Sequence, residues 1–150
     1  MRNLPAITVR NAQRKLFVNV PALQNFSERA LPLCLAEKAP LRSELRSLEE
    51  VNVILISDSR MAALHKKFLK MAGPTDVITF QHGEIFLSAE RARANARSFQ
   101  TAIEDELKLY IVHGLLHLRG LSDTTKGSAR AMRSVQMRIL SAARDTPTEP

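Results

Sequence analysis

The sequence predicts an α+β domain, a small mixed β-sheet packed with helices around one central apolar helix. Two observations carry this. Short strand-like runs, ITVR at 7–10, VNVILIS at 51–57, DVITF at 76–80 and EIFLS at 84–88, are interleaved with longer segments of helical periodicity. The segment 104–118 places Leu107, Leu109, Ile111, Val112, Leu115, Leu116 and Leu118 around most of its circumference at about 100° per residue. Such a helix belongs in the middle of a fold. The 150 residues fit one domain over 1–150, with a tail fraying from about 144.

Each element has its own signal. ITVR is a short first strand. Val20-Pro21 opens a helix, because proline suits the first helical turn. Leu23, Phe26, Ala30, Leu31 and Cys34 give it an apolar face, and Pro32 predicts a kink or an early end. The charged stretch 40–50 reads as a loop. VNVILIS is apolar on both alternating faces, which predicts a strand buried within the sheet. Ser57 or Asp58 caps the next helix, whose stripe is Met61, Leu64, Phe68 and Leu69, and Gly73-Pro74 ends it. DVITF and EIFLS form two strands joined around His82-Gly83, and a helix rich in Ala and Arg follows over about 89–97. The apolar helix over 104–118 keeps one polar sector, Glu106, Tyr110, His113 and His117, and Gly120 breaks it. A last amphipathic helix over about 126–143 buries Met132, Val135, Ile139 and Ala143 and carries Lys126, Arg130, Arg133 and Arg144 on one flank.

Composition excludes several classes. Hydrophobic residues at 45% and charged residues at 25% are ordinary for a globular protein, against disorder, collagen or a coiled coil. No apolar run reaches the roughly 20 residues that span a bilayer, and the first residues lack the apolar core of a signal peptide. One cysteine, Cys34, allows neither an internal disulfide nor a cysteine-based zinc knuckle, and the cytoplasm is the simplest compartment. The net charge of +7 favours a polyanionic partner, although many small soluble proteins are basic without one. With no Trp, one Tyr and six Phe, a base-stacking platform is poorly supported.

The chemistry centres on HGLLHLRGLSD, residues 113–123. His113 and His117, four apart on a helix, lie one turn apart on nearly one face and can share a metal ion. Gly120 can turn the chain back and bring the Asp123 carboxylate to the same ion. Two imidazoles and a carboxylate leave a fourth position for water, the catalytic pattern of zinc sites. The competing reading is a pair of ordinary hydrogen-bonded core histidines. Gly114 stands where a zinc protease of the HExxH kind carries its general-base Glu, which argues against peptide hydrolysis by that route.

HGLLHLRG resembles the HGxLHLxG core of the YbeY family, the bacterial metal-dependent endoribonucleases of ribosomal RNA maturation. PTDVITF is similar to the family's PTDVLSF, GEIFLS to its GDIxIS, and ELKLYIVHG to its approach to the metal helix. Met132 with Gln136 resembles its M-x-x-x-E in the last helix, with Gln for Glu. The similarity runs from about Val51 to Leu140 in order and spacing. It implies a sheet-and-helix fold, one zinc-like divalent ion per chain on His113, His117 and Asp123, and action on ribosomal RNA at the small ribosomal subunit. A small-subunit ribosomal protein is a further partner class, no membrane is involved, and the oligomeric state is open.

Three departures stand out. The family pattern HGxLHLxGYDH ends in His, where this chain has Asp123. Carboxylate is the harder ligand, lowers the net charge of the site and makes a bound water less acidic. The family's LNxxxR context falls on Leu64-His65 and Leu69, so the Arg is missing. Lys70, next to that position, is the candidate for the cation nearest the reacting phosphate, and Lys66, Lys67, Arg130 and Arg133 are candidates for holding the RNA backbone. Glu84 replaces the family's Asp and keeps its charge. Thr75 is a candidate for shaping the cleft, Glu106 for partnering an imidazole if it is not a surface carboxylate, and His82 for a substitute ligand. His65 is expected to face solvent and Cys34 to be a buried, inert thiol. Three functions follow: a zinc-dependent endoribonuclease of 16S rRNA maturation and ribosome quality control, a ribosome-maturation binding factor with weak or no nuclease activity, and a zinc hydrolase of another substrate.

Overall fold

Strand β2 (Glu50–Ile56) is apolar on both faces, and it takes an inner position in the sheet. In a computed structural model that describes residues 4–39, 43–69 and 75–144, β2 pairs in parallel with β1 (Ala6–Asn11) on one side and β4 (Glu84–Ser88) on the other. β3 (Val77–Thr79) pairs antiparallel with β4 and forms an edge, so the order is β1-β2-β4-β3. Parallel neighbours need a crossover. Helix α1 (Val20–Leu35) supplies it between β1 and β2, and α2 (Asp58–Leu69) lies on the path from β2 to the β3–β4 pair. Helices α3 (Ala89–Phe99), α4 (Ile103–Arg119) and α5 (Lys126–Ala142) complete the predicted α+β fold.

The two-residue alternation of the strands sorts the core into two parts. Val51, Val53, Leu55, Ile85 and Leu87 pack into the main core with residues of α1, α4 and α5. Ile54, Ile56, Ile78 and Phe86 face the other way, where Met61 of α2 covers them. Helix α4 is central as expected: Leu107, Ile111, Leu115 and Leu116 are fully buried, and the helix packs on α1, α3, α5, β3 and β4. Each such side chain contributes about 1.5–3 kcal/mol of burial, so the helix that carries the two histidines is anchored along its length.

Several expectations are corrected. Pro32 does not end α1, which runs on to Leu35. Pro32 is exposed, so one late N–H is lost while Leu31 and Cys34 stay buried in the core and hold the last turn. The 43–50 part of the charged loop contains a 3-10 turn, Leu45–Ser47, pinned by the fully buried Leu45, and Glu50 already belongs to β2. Phe68 and Leu69 are not buried stripe residues, being 52% and 49% exposed at the end of α2. Glu106 is not a surface carboxylate: it is buried, and Thr101 Oγ1 donates to it at 3.4 Å. His65 is half-buried rather than solvent-facing. Lys70, the Gly73-Pro74 stop and the tail beyond 144 lie outside the described residues.

Gly114 sets how closely α4 approaches the sheet. A Cβ there would lie 2.8 Å from Ile85 Cγ2 and 3.1 Å from Thr79 Oγ1. The position therefore has no room for the glutamate of a zinc protease. Overpacking costs about 1–3 kcal/mol, and alanine returns about 1 kcal/mol through helix propensity. Gly114→Ala should lower the urea midpoint; an unchanged or higher midpoint would show that α4 shifts at no cost.

Candidate metal centre

The end of α4 builds the site. Gly120 adopts φ 115°, the left-handed conformation that other residues resist. Its N–H donates to His117 O and the Leu121 N–H to Leu116 O, the paired bonds of a Schellman cap. Leu121 packs against the main core and fixes the direction of exit. Three residues past the glycine, the reversed chain delivers Asp123 to the two imidazoles.

The three side chains converge. His113 Nε2 lies 2.9 Å from His117 Nε2 and 3.5 Å from Asp123 Oδ2, and His117 Nε2 lies 3.6 Å from Asp123 Oδ1. Ligand atoms about 2.0–2.2 Å from a tetrahedral ion sit about 3.3–3.6 Å from one another, so this donor set fits such an ion with adjustments of a few tenths of an ångström. The side chains are 29%, 31% and 38% exposed, which leaves an open side toward solvent. Burial, and then the neighbouring His117, hold the His113 pKa below its usual value; Asp123 opposes the shift. The shift favours the neutral imidazole, the form a metal requires. Among the described residues, no other group of three His, Cys, Asp or Glu converges in this way.

The two histidines line a cleft of about 560 Å³ that runs under the β3 edge. Its wall includes Glu44, Leu69, Val77, Thr79 and Phe80. Leu69, where the resembling sequences carry Arg, is thus an apolar residue of the cleft itself. Thr79, rather than Thr75, lines it, and the Thr79 hydroxyl is buried without a hydrogen-bond partner among the described residues. Glu44, the one carboxylate of this wall among the described residues, was not singled out from sequence, since it lies in a stretch without periodicity.

Gln136 is the neighbour that the resemblance named without giving it a role. It is buried on α5, and its amide meets His113 Nδ1 at 2.5 Å. Glu106, weighed for a place beside an imidazole, is bonded to Thr101 instead. His82 is outside the converging group: it pairs with Glu84 and stacks on Phe80, with ring centroids 5.6 Å apart. Cys34 is buried, and burial pushes its thiol up to about 12, so it is inert. Lys66, Lys67, Arg130 and Arg133 are all exposed. Phe80 meets Phe68 and Phe86 edge-on, and Lys67 Nζ lies 5.3 Å from the Phe68 ring centre.

The family model Endoribonuclease YbeY matches residues 8–144. An Endoribonuclease YbeY from Flavobacterium psychrophilum is 36% identical over 99 residues, 61% of this chain and 71% of the relative. One from Cytophaga hutchinsonii is 34% identical over 108 residues, 67% and 76% of the two chains. The solution structure of TM1509 from Thermotoga maritima shares the fold, with TM-score 0.58 and 23% identity over 96% of this chain and 99% of that one. With the family model spanning nearly all the described residues and these relatives beside it, the chain belongs to the Endoribonuclease YbeY family.

Proposed function

We propose that this protein is a zinc-dependent endoribonuclease that cuts single-stranded RNA in ribosomal RNA processing, including 16S rRNA maturation and ribosome quality control in the cytoplasm. The observation that carries the reading is the convergence of His113, His117 and Asp123 beside an open cleft, in a member of an endoribonuclease family. His113, His117 and Asp123 would hold one zinc ion per chain, which would supply Lewis acidity toward a water or a phosphoryl oxygen.

The chain's own residues supply the rest. Lys66 and Lys67 on α2 and Arg130 and Arg133 on α5 hold the phosphate backbone, and Lys70 is the cation nearest the reacting phosphate. Phe68, half-exposed beside Lys67, offers a face on which a base can stack. Glu44 stands in the cleft wall as the proton acceptor or donor. Partners are ribosomal RNA, the small ribosomal subunit and a small-subunit ribosomal protein. Among the described residues no helix is long and apolar enough to cross a membrane.

A second reading, a ribosome-maturation binding factor with little nuclease activity, is favoured by one observation: Leu69 puts an apolar side chain in the cleft wall where a phosphate would need a cation. A zinc hydrolase of peptides is disfavoured by the crowding at Gly114. The test is cleavage of a single-stranded ribosomal RNA fragment by zinc-loaded protein, beside the zinc content of the parent and of Asp123→Ala. The expected result is one zinc per parent chain, much less in the variant, and cleavage that a chelator stops and zinc restores. Full zinc occupancy without cleavage would replace the nuclease with the binding factor.

A further inference from the structure

Gln136 interrupts an apolar stripe. Met132 and Ile139, one turn to either side on α5, are buried core residues, and Gln136 is itself only 8% exposed. An amide in such a place costs free energy unless it is bonded. Its bond is to a metal-ligand candidate, His113 Nδ1, at 2.5 Å.

A neutral imidazole carries one N–H and one lone pair. As the network stands, Gln136 Nε2–H donates to His113 Nδ1, which puts the imidazole proton on Nε2, donating to His117 Nε2 at 2.9 Å. Ligation through His113 Nε2 needs the other tautomer, with its N–H on Nδ1 facing position 136. An amide serves both states, because turned by half a rotation it presents Oε1 as an acceptor. A carboxylate serves only the second, and an apolar side chain serves neither.

We infer that Gln136 is a positioning residue that supports His113 in both tautomers, donating to Nδ1 in the metal-free protein and accepting from Nδ1–H when Nε2 is a ligand. This rests on the metal-centre reading. Charge gives a second reason for the amide. Asp123 already places a negative group 3.5 Å from His113 Nε2, and a carboxylate at 136 would put another on the opposite side of the same ring. Asp123 and Gln136, two positions at which the chain departs from the pattern it resembles, touch one imidazole from its two nitrogens.

The test joins zinc affinity, by competition with a chromophoric chelator, to nitrogen-15 NMR of the imidazoles in the metal-free protein. It uses the full chain, Gln136→Glu and Gln136→Leu. In the parent, His113 should be protonated at Nε2. In Gln136→Glu the proton should move to Nδ1, with zinc bound about tenfold more tightly, while Gln136→Leu should bind zinc about 10–100-fold more weakly. A folded Gln136→Leu protein with parental affinity overturns the inference, and so does a Gln136→Glu protein whose His113 stays protonated at Nε2. If the leucine variant does not fold, the glutamate variant decides alone. A parent that binds no zinc overturns the metal-centre reading and this inference together, whereas zinc binding that neither substitution changes overturns the inference alone.

Discussion

His117→Ala should abolish zinc retention and RNA cleavage while leaving the protein folded. The fold can spare the imidazole. His117 sits in the last turn of α4 with its side chain 31% exposed, while its neighbours Leu116 and Leu118 carry the burial. Alanine is also the better helix former, so the stability change should fall within about 1 kcal/mol. The site cannot spare it. Without His117, only His113 and Asp123 remain, 3.5 Å apart, and two donors do not enclose an ion. Without the Lewis acid that the three residues would hold, cleavage should fall by at least about a thousandfold. Elemental analysis, a thermal melt and a single-turnover cleavage assay on one preparation check all three parts. A folded, zinc-free variant that cuts RNA at the parental rate would mean the chemistry lies elsewhere.

The fold was legible where local physics and tertiary packing agree. β2 read as a buried strand because both of its faces are apolar, and its faces do enter the two separate parts of the core. Helix α4 read as central because almost no sector of it is polar. The ends of elements were less legible. Pro32 looked like a stop because sequence shows the missing N–H but not the burial of Leu31 and Cys34 that outweighs it. The metal-ligand candidates were legible because a four-residue helical spacing and a glycine cap are local features. The places of Gln136, Glu44 and Thr79 beside them were not, because each reaches the site from a different element across the fold. Glu106 misled differently: a carboxylate on a helix looks solvated, whereas this one is buried and accepts from the nearby Thr101 hydroxyl just before the helix.

Leu69→Arg should raise RNA cleavage by about 10–100-fold. Leu69 lies in the cleft wall with His113 and His117, and it is 49% exposed, so little burial is lost on replacement. A guanidinium there adds a fork of donors suited to phosphate. A hydrogen bond to a charged group contributes about 1.5–3 kcal/mol, which converts to the stated range at about 1.4 kcal/mol per decade. Leu69→Lys should gain less, because an ammonium offers a point charge without the bidentate geometry. The gain should come with a steeper salt dependence of RNA binding, by about one phosphate contact. The split between kcat and KM locates the new contact: a rise in kcat places the arginine on the phosphate only at the transition state, and a fall in KM alone places it on the RNA backbone before reaction. No change in rate, KM or salt slope would mean that phosphate does not pass Leu69 on its way to the imidazoles.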